Sequence, residues 1–401
     1  MKILIISPTF PCPPNSGPTI RIYNSVKYLS KENEIHLVSF EDRKIGQDEL
    51  REVKKWCSNV ILVKMRKRPK LLQLHQVVYR FAKGLPFTLK YSESDALRKV
   101  LKKISLEENY DIIQWEHSYM AHHVQCLSTE VTAKRILSFH NVACAQYYRI
   151  FRAEKRLIRK IRHFCEWYPM FAWEPKMAEK FDKSLVVSEM DKQLLKYLNP
   201  VLDVSIVPNG IDTKSFVSYP ISGRGNELLF VGAMDYEPNI DAVLYFCQEI
   251  FPMIQRKMPG IKLRIVGRNS PRNVQKLAAN RDVVICGHVE DVMPFYSKAM
   301  LAVVPLRCGG GTRLKILEAM ATGTPVISTS VGCEGLDVKA GENIMIADSP
   351  EDFAGKAVAL LSERELWTKI ARDGRKLVEE RYDWEKIMWT MQDIYRDLVK
   401  E

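Results

Sequence analysis

The chain has 401 residues, of which 46% are hydrophobic and 27% charged, a composition that excludes a disordered or fibrous protein. No apolar run reaches the roughly 20 residues that cross a bilayer, so we expect a soluble or peripheral protein. The formal net charge of +12 favours an anionic partner such as nucleic acid, an anionic lipid or a phosphorylated substrate. At this length two domains are expected.

Cysteine usage favours a cytoplasmic location. The nine cysteines form no CxxC pair, and most stand alone in apolar segments, as buried thiols in a reducing compartment do. The first residues, MKILIISPTF, lack the apolar length and small-residue cleavage site of a signal peptide, so they predict a first strand.

Short apolar strands alternate with amphipathic helices along the first half of the chain, which predicts a parallel sheet with right-handed crossovers. The predicted strands are KILIIS (2–7), EIHLVSF (34–40), NVILVKM (59–65), YDIIQWE (110–116), RILSFHN (135–141) and KSLVVSEMD (183–191). The stretch that follows, VPNGIDTKSFVSYPISGRGNE, is rich in Pro, Gly, Asn and Ser, and we expect a linker there over 208–225.

The same alternation restarts after the linker. The predicted strands are ELLFVGAM (227–234), KLRIVGR (262–268), DVVICGH (282–288), MLAVVPL (300–306), TPVISTS (324–330) and NIMIADS (343–349). The predicted fold is therefore α/β, with two doubly wound Rossmann-like domains, 1–207 and 226–382, and a C-terminal helix, 383–401, that packs back on the first domain. Ligands of such sheets bind beyond the carboxyl ends of the strands, so the expected site is a cleft between the halves.

The segment RCGGGTRLKILEAMATGTPVI (307–327) is the strongest candidate for a binding site. It predicts a glycine-rich turn and then a helix that ends at Gly323 and Pro325. Such a turn leaves backbone N–H groups free for phosphate. Arg313 and Lys315 fall in the first helical turn, where cations oppose the helix dipole, and a bound anion would remove that conflict. The alternative is a tight turn with two solvated basic side chains.

The segment GGGTRLKILEAMATGTPVIST, preceded by VPL and followed by VGCEGL, resembles the nucleotide-sugar motif of retaining glycosyltransferases of family 4, the group 1 enzymes with the GT-B fold. Further matching segments are SPTFPCPPNSG, SFHN, VPNGID and GENIMIADSPEDFA, so the resemblance covers essentially the whole chain. It implies transfer of a hexose from a nucleotide diphosphate sugar, carrying UDP or GDP, to a glycan or lipid-linked glycan in polysaccharide or glycolipid assembly.

The resemblance also implies roles for individual residues. Glu318 would hold the ribose hydroxyls, Lys315 would neutralise the diphosphate, and His140 would contact the donor sugar. The chain departs from the family pattern twice: Gly310 stands where many members have a second glutamate, and VGAMDYEPNIDA (231–242) lacks the usual basic pair. Arg313 can supply the missing charge. We thus predict His140, Arg313 and Lys315 as catalytic. The predicted donor-binding residues are Gly17, Gly232, Arg268, Gly310, Gly311, Thr312, Leu314 and Glu318.

Metal ions, other cofactors and nucleic acid are not expected. No DxD-like dyad flanked by other carboxylates stands at a strand end, and no His/Cys cluster has the spacing of metal ligands. His117, His122 and His123 are close in sequence, but their spacing suits one helix face poorly. Arg and Lys would replace the divalent cation, and no known nucleic-acid-binding motif is present.

The acceptor side is assigned to the first half. Segments 66–86 and 147–176 mix Arg and Lys with large apolar residues, as in a basic amphipathic helix on an anionic membrane or, alternatively, in a packed helix with a solvated basic face. This composition fits a peripheral protein at the cytoplasmic face of the membrane with a lipid-linked acceptor. The predicted acceptor-side residues are Thr19, Arg21, Glu116 and His117.

Two other functions stay open. A nucleotide-sugar binding protein without turnover would be consistent with Gly310, and a nucleotide-sugar 2-epimerase would share the fold.

Overall fold

The computed structural model describes residues 1–64, 79–86, 89, 93–128, 130–154, 156–309 and 311–400. The chain divides into two compact units. The first unit is Met1–Pro208 together with Met388–Glu401, and the second is Asn209–Ile387.

The first unit is built on a parallel sheet of seven strands in the order β3-β2-β1-β4-β5-β6-β7. The strands are β1 (Lys2–Ser7), β2 (Glu34–Glu41), β3 (Asn59–Lys64), β4 (Ile112–Glu116), β5 (Lys134–Ser138), β6 (Lys183–Val186) and β7 (Val204–Ile206). The central strand β1 is apolar on both faces, with Ile3 to Ile6 fully buried, as expected where helices cover both sides of a sheet.

Helices connect these strands. They are α1 (Gly17–Leu29), α2 (Gln47–Lys54), α3 (Asp95–Glu107), α4 (Ala143–Ala153), α5 (Leu157–Ala178) and α6 (Glu189–Leu198), with a 3₁₀ segment at Ser118–Cys126. Three of them begin at serines of the sequence that act as N-caps: Ser16 before α1, Ser94 before α3 and Ser188 before α6.

The second unit repeats the architecture with six parallel strands in the order β10-β9-β8-β11-β12-β13. Its strands are β8 (Glu227–Val231), β9 (Lys262–Val266), β10 (Val283–Gly287), β11 (Leu301–Val304), β12 (Val326–Ser328) and β13 (Met345–Ile346). Its helices are α7 (Glu237–Tyr245), α8 (Phe251–Lys257), α9 (Arg272–Gln275), α10 (Met293–Lys298), α11 (Leu314–Ala321), α12 (Pro350–Ser362) and α13 (Arg364–Arg381), with a π-helical turn at Phe246–Ile250 and a 3₁₀ turn at Lys276–Ala279.

The prediction of two doubly wound α/β halves is confirmed. In each unit the strand order reverses beside the first strand, so the loops after two neighbouring strands part to opposite faces and leave a crevice. In the first unit this switch point lies between β1 and β4. In the second it lies between β8 and β11, and the glycine-rich turn follows β11.

One domain boundary and one strand differ from our expectations. The units meet between Pro208 and Asn209, so most of the predicted linker belongs to the second unit. Arg224 fastens it there by donating to the backbone oxygens of Tyr296 at 2.9 Å and Ala299 at 2.7 Å. Strand β7 was not predicted, because its three residues are too few to show a period.

The last helix, α14 (Trp384–Lys400), runs from the second unit into the first, which it joins at Met388. Within the first unit, Gln392 accepts a hydrogen bond from Asn33 at 2.8 Å, and Arg396 pairs with Glu32 at 2.6 Å.

Candidate functional site

Lys315 lies at the switch point of the second unit. Its Nζ donates to Oδ1 of Asn239 at 2.8 Å and lies 4.3 Å from the centre of the Phe230 ring. A Cβ atom on Gly232, the residue after β8, would come within 2.7 Å of this Nζ. Only glycine therefore lets the ammonium group approach so closely. Lys315 thus brings a cation to the loop after β8, whose own sequence has none.

Arg313 is the residue before α11, and its side chain is buried. Its Nη2 lies 2.9 Å from the position that a Cβ on Gly309 would take. Gly309 and Gly311 have φ values of 113° and 77°, which L residues rarely adopt. Only at Gly309 would a side chain also meet neighbours, because the Cβ position of Gly311 is open.

The cations Arg313 and Lys315 at the start of α11 are close enough to repel each other. Burial, and then the charge of Arg313, lower the pKa of Lys315 to about 7, while Glu318 opposes the shift. The first turn of α11, which the structure describes in full, contains no acidic residue. The helix dipole adds a further partial positive charge at the same place. A bound anion would relieve this repulsion, so the arrangement indicates a phosphate or diphosphate site.

Glu318 lies three residues after Lys315, on the same face of α11. Its Oε2 lies 3.0 Å from the hydroxyl of Tyr296, which is also 3.2 Å from the backbone oxygen of Lys315. Burial raises the pKa of Glu318, and the Tyr296 hydrogen bond and the Lys315 charge offset that only in part. A half-buried carboxylate with one protein donor has acceptor capacity to spare for ligand hydroxyls.

Two arginines hold the other end of α11. Arg224 donates to the backbone oxygens of Thr322 at 3.0 Å and Gly323 at 3.1 Å, and Arg375 donates to that of Ala321. Cations at a helix C-terminus complement the dipole and satisfy its last carbonyls. These contacts fix the orientation of the helix that carries Lys315 and Glu318.

The other predicted donor-binding residues differ in their surroundings. Nε of Arg268 lies 3.4 Å from Oδ2 of Asp235, in the loop after β8. The backbone N–H of Leu314 donates to the backbone oxygen of Thr312 at 3.2 Å, and the donor-binding roles of both residues stay predictions. Gly310 lies outside the described residues. No side chain approaches the Cβ position of Gly17, which opens α1.

The first unit contains a buried polar chain that begins at the end of β4. Nε2 of His140 lies 2.7 Å from Oε2 of Glu116, and Gln114 donates to Oε1 of Glu116 at 2.5 Å. Tyr395 of α14 donates in turn to the side-chain oxygen of Gln114. The structure thus brings together His140 and Glu116, which the sequence separates by 24 positions.

Electrostatics assign protonation states to this pair. Burial alone would raise the pKa of Glu116, but the hydrogen bond to His140 and the charges of His140 and Arg21 lower it. Burial lowers the pKa of His140, against the opposing effect of Glu116. An ionised Glu116 requires the proton of a neutral imidazole to be on Nε2. Nδ1 of His140 is then an acceptor.

His117 has an unusual backbone conformation, with φ of 69°. Its ring stacks on His140, with 3.8 Å between ring centres, and on Tyr119, with 5.0 Å. Burial and the charges of His140 and Arg21 hold its pKa well below the usual range. A non-glycine residue in this region costs free energy, and such residues cluster at functional sites.

Thr19 and Arg21 have structural contacts. The Thr19 hydroxyl exchanges hydrogen bonds with the backbone of Ser16 at 3.0 Å and so caps α1. Arg21 is buried and donates to the backbone oxygens of Val207 at 2.9 Å and Pro208 at 3.1 Å. These contacts give both side chains structural roles, and their acceptor-side role stays a prediction.

Two of the clustered histidines, His122 and His123, lie in the 3₁₀ segment. The rings of His122 and His123 lie 4.0 Å apart, and burial lowers the pKa of His122 to about 3. Across the described residues, no group of three or more His, Cys, Asp or Glu side chains is placed to hold a metal ion.

The two basic segments have different outcomes. Residues 66–78 lie outside the described residues, whereas 147–176 falls within α4 and α5. In the part of the chain that the structure describes, no helix is both long and apolar enough to cross a membrane.

Sequence reasoning missed several residues of both sites. Asn239, Tyr296, Arg224 and Arg375 surround α11, and Gln114 and Tyr395 extend the Glu116–His140 pair. Only Gln114 had a signal in the sequence, since an amide and a carboxylate at alternate positions of an apolar strand point to the same face.

Known protein families match the two halves of the chain separately. The family profile described as Glycosyltransferase Family 4 matches residues 15–215, half of the chain, and the profile described as Glycosyl transferases group 1 matches residues 225–363. A Klebsiella pneumoniae protein named for its place in the cps region is 24% identical over 96% of this chain and 97% of its own length.

Two further relatives are better described by name. The Staphylococcus aureus capsular polysaccharide biosynthesis glycosyltransferase CapM is 29% identical over 38% of this chain and 42% of its own length. The structure of Anabaena Alr3699/HepE, solved with UDP and glucose, covers 99% of this chain and 100% of its own, with a TM-score of 0.70 at 12% identity. The two matched profiles, the two parallel-sheet units and the structural likeness together establish that the chain belongs to the GT-B glycosyltransferases of group 1 and family 4.

Proposed function

We propose that the protein transfers a hexose from a nucleotide diphosphate sugar to a glycan or lipid-linked glycan, with retention of configuration and without a metal ion. The observation that carries this proposal is the position of Lys315. Its ammonium group lies against Gly232 and Asn239 at the switch point of the second unit, with Arg313 beside the same helix start.

The donor end of the reaction follows from these charges. Cleavage of the sugar–phosphate bond places negative charge on the departing diphosphate. Lys315, Arg313 and the positive end of α11 would stabilise that charge, as a divalent cation does in other transferases. Glu318 would accept hydrogen bonds from the ribose hydroxyls through the carboxylate lone pairs that do not accept from Tyr296.

The sugar end is assigned to the first unit. With Nε2–H donated to Glu116, the imidazole of His140 offers Nδ1 to a sugar hydroxyl. Glu116 fixes the ring orientation of His140, and Gln114 and Tyr395 fix the orientation of Glu116. Glu116 and Tyr395 would act as positioning residues, while His140 would touch the substrate.

The acceptor and location are supported more indirectly. The similarity to CapM supports a role in polysaccharide assembly, and the structural likeness to HepE, solved with UDP and glucose, makes UDP-sugars the first donors to test before GDP-sugars. All nine cysteines, which lie among the described residues, are free thiols, as expected at the cytoplasmic face of a membrane. The proposal includes no organic cofactor and no nucleic-acid partner.

A donor screen tests the proposal. Purified protein is incubated with UDP- and GDP-sugars, with and without a lipid-linked glycan acceptor, and nucleotide release is measured. We expect release that depends on one donor and on acceptor, and a product whose anomeric configuration by NMR matches that of the donor. Tight donor binding without release would indicate a binding protein, and a C2-epimerised sugar would indicate an epimerase.

A further inference from the structure

Helices α4 and α5 pack against each other and form a hairpin that starts three residues after His140. We call residues 143–154 and 156–178 the basic hairpin. Its root is fixed by Glu174 of α5, a fully buried carboxylate that accepts from the backbone N–H groups of Ala143 at 3.1 Å and Cys144 at 2.8 Å. These hydrogen bonds tie the start of α4 to the C-terminal part of α5.

Helix α5 is apolar on two faces, of which one packs into the core and the other is exposed. Met170, Trp173 and Met177 pack into the core of the first unit. A second set of apolar residues follows at intervals of four and three positions, so these residues share one face of the helix over about four turns. This face is exposed. The exposed stripe consists of Leu157, Ile161, Phe164, Tyr168 and Phe171.

Exposure is greatest at the outer end of the hairpin. Leu157 is 73% exposed, Ile158 85% and Ile161 56%. Three adjacent large aliphatic side chains in water are unfavourable for a protein that acts alone, and such patches mark interaction sites.

Aromatic rings fill the space between the two helices next to this stripe. Phe151 of α4 stacks on Trp167 of α5 with 5.7 Å between ring centres, and Tyr148 lies 5.2 Å from the same ring. Nζ of Lys160 lies 5.5 Å from the centre of the Phe151 ring. Aromatic rings bordered by cations are typical of protein surfaces at the level of lipid headgroups.

The positive charge of the hairpin indicates an anionic partner. Residues 147–162 contain seven Arg and Lys and one Glu. Arg156, Arg159 and Arg162 are exposed beside the aliphatic end of the hairpin. In an anionic bilayer, aliphatic side chains can be buried among the acyl chains while neighbouring arginines bind the headgroups above them. Nucleic acid has no comparable apolar layer in which Leu157 and Ile158 could be buried.

We propose that the basic hairpin docks the protein on an anionic bilayer. Leu157, Ile158 and Ile161 enter the boundary between headgroups and acyl chains, and the neighbouring arginines bind lipid phosphates. The benefit of docking rests on the proposed function. A docked hairpin, which begins three residues after His140, keeps the sugar site close to the membrane surface where a lipid-linked acceptor is presented.

Vesicle flotation with the full chain tests the proposal. The protein is mixed with vesicles of phosphatidylcholine alone or with phosphatidylglycerol, over a series of salt concentrations. The charge variant is Arg156→Gln/Arg159→Gln/Arg162→Gln, and the insertion variant is Leu157→Ser/Ile158→Ser/Ile161→Ser. A matched control, Lys369→Gln/Arg372→Gln/Lys376→Gln, removes three exposed cations from α13 of the second unit.

We expect binding to anionic vesicles only, weakening steeply as salt rises. The charge variant and the insertion variant should each bind at least about tenfold more weakly, while the α13 control binds like wild type. Equal binding to neutral and anionic vesicles, no binding at all, or an equal loss in the α13 control would overturn the proposal. The proposal would also be overturned if the wild-type protein were a dimer and only the insertion variant were a monomer. The exposed stripe would then be an interface between two copies of the chain.

Two readouts separate this proposal from the transferase proposal. The thermal unfolding temperature of both variants should match wild type, because the altered side chains are exposed. Donor binding in solution does not involve the hairpin and should also be unchanged. Vesicle binding by a protein that releases no nucleotide would support docking and contradict turnover, and the reverse result would contradict docking alone.

Discussion

Tyr395, in the last helix, donates a hydrogen bond to Gln114, which lies 281 positions earlier on a central strand of the first unit. Gln114 passes this constraint to Glu116, and Glu116 to His140. The C-terminal helix therefore takes part in orienting the histidine that we assign to the donor sugar.

Removal of this constraint should affect turnover more than donor binding. In Tyr395→Phe, Gln114 can rotate away from Glu116, and loss of a hydrogen bond that lowers the pKa of Glu116 will raise that pKa. Activity that depends on ionised Glu116 is lost as pH falls through its pKa, so the acidic limb of the pH–rate profile should move to higher pH.

We expect kcat to fall several-fold at unchanged KM for the donor, with a stability loss of about 1–3 kcal/mol for the unsatisfied amide oxygen. Tyr197→Phe alters an exposed tyrosine and serves as the control. A stability loss with an unshifted pH profile would make Tyr395 structural only.

Donor affinity should depend on the protonation of Lys315. The pKa of this group is about 7, so above pH 7 the free protein increasingly has a neutral amine. A diphosphate favours the charged form, and binding should therefore take up a proton and weaken by up to about tenfold per pH unit above pH 7. Calorimetry of an intact nucleotide sugar in buffers of different ionisation enthalpy measures this uptake. Proton uptake that persists in Lys315→Met would assign it to another group.

Removal of Glu318 should separate binding from stability. Glu318→Ala loses charged hydrogen bonds to the ribose, and donor affinity should fall about 10- to 100-fold. Burial is the main cause of the raised pKa of Glu318, and Tyr296 keeps the backbone oxygen of Lys315 as an acceptor. The unfolding temperature should therefore not fall. Glu342→Ala, at an exposed site, is the control, and unchanged donor binding in Glu318→Ala would remove this residue from the site.

Arg313 should act mainly on the departing diphosphate. Arg313→Ala should lower kcat more than donor affinity, and Arg313→Lys should restore only part of it, because a point charge cannot make two parallel contacts with phosphate. Near wild-type turnover of Arg313→Ala at saturating donor would contradict this role.

A pair of glycine substitutions tests the position of the Arg313 guanidinium. Gly309→Ala and Gly311→Ala both place a side chain at positive φ, but only the first also crowds Nη2 of Arg313, at 2.9 Å. Gly309→Ala should therefore reproduce the kcat loss of Arg313→Ala more fully than Gly311→Ala. Equal effects of the two substitutions would indicate backbone strain alone.

Turnover should survive metal chelation. The proposed charge stabilisation comes from Lys315, Arg313 and the start of α11, so EDTA should leave the rate of nucleotide release unchanged. Loss of activity on chelation, restored by manganese or magnesium, would show that the diphosphate is bound through a metal ion instead.

The strands, most of the helices and the common helix face of Lys315 and Glu318 follow from local sequence. Apolar runs of strand length and helical periods recur within windows of a few residues, and hydrophobic burial acts on those windows wherever they lie in the fold. The end of α11 was predicted from Gly323, which has φ of 65° in the structure. Lys315 and Glu318 share a helix face because they are three positions apart, which any α-helix imposes.

Tertiary structure decided which distant residues meet. In the second unit, strand order places the loop after β8 beside the loop after β11 and so brings Lys315 to Gly232. The packing of elements distant in the chain likewise brings Arg224 and Arg375 to the end of α11, and Tyr395 to Gln114. No local period encodes the pairing of strands that are far apart in the chain, since it depends on the joint packing of both sheet faces. For the same reason no local pattern predicts the contact of Arg21 with the backbone just after β7, a strand too short to be predicted.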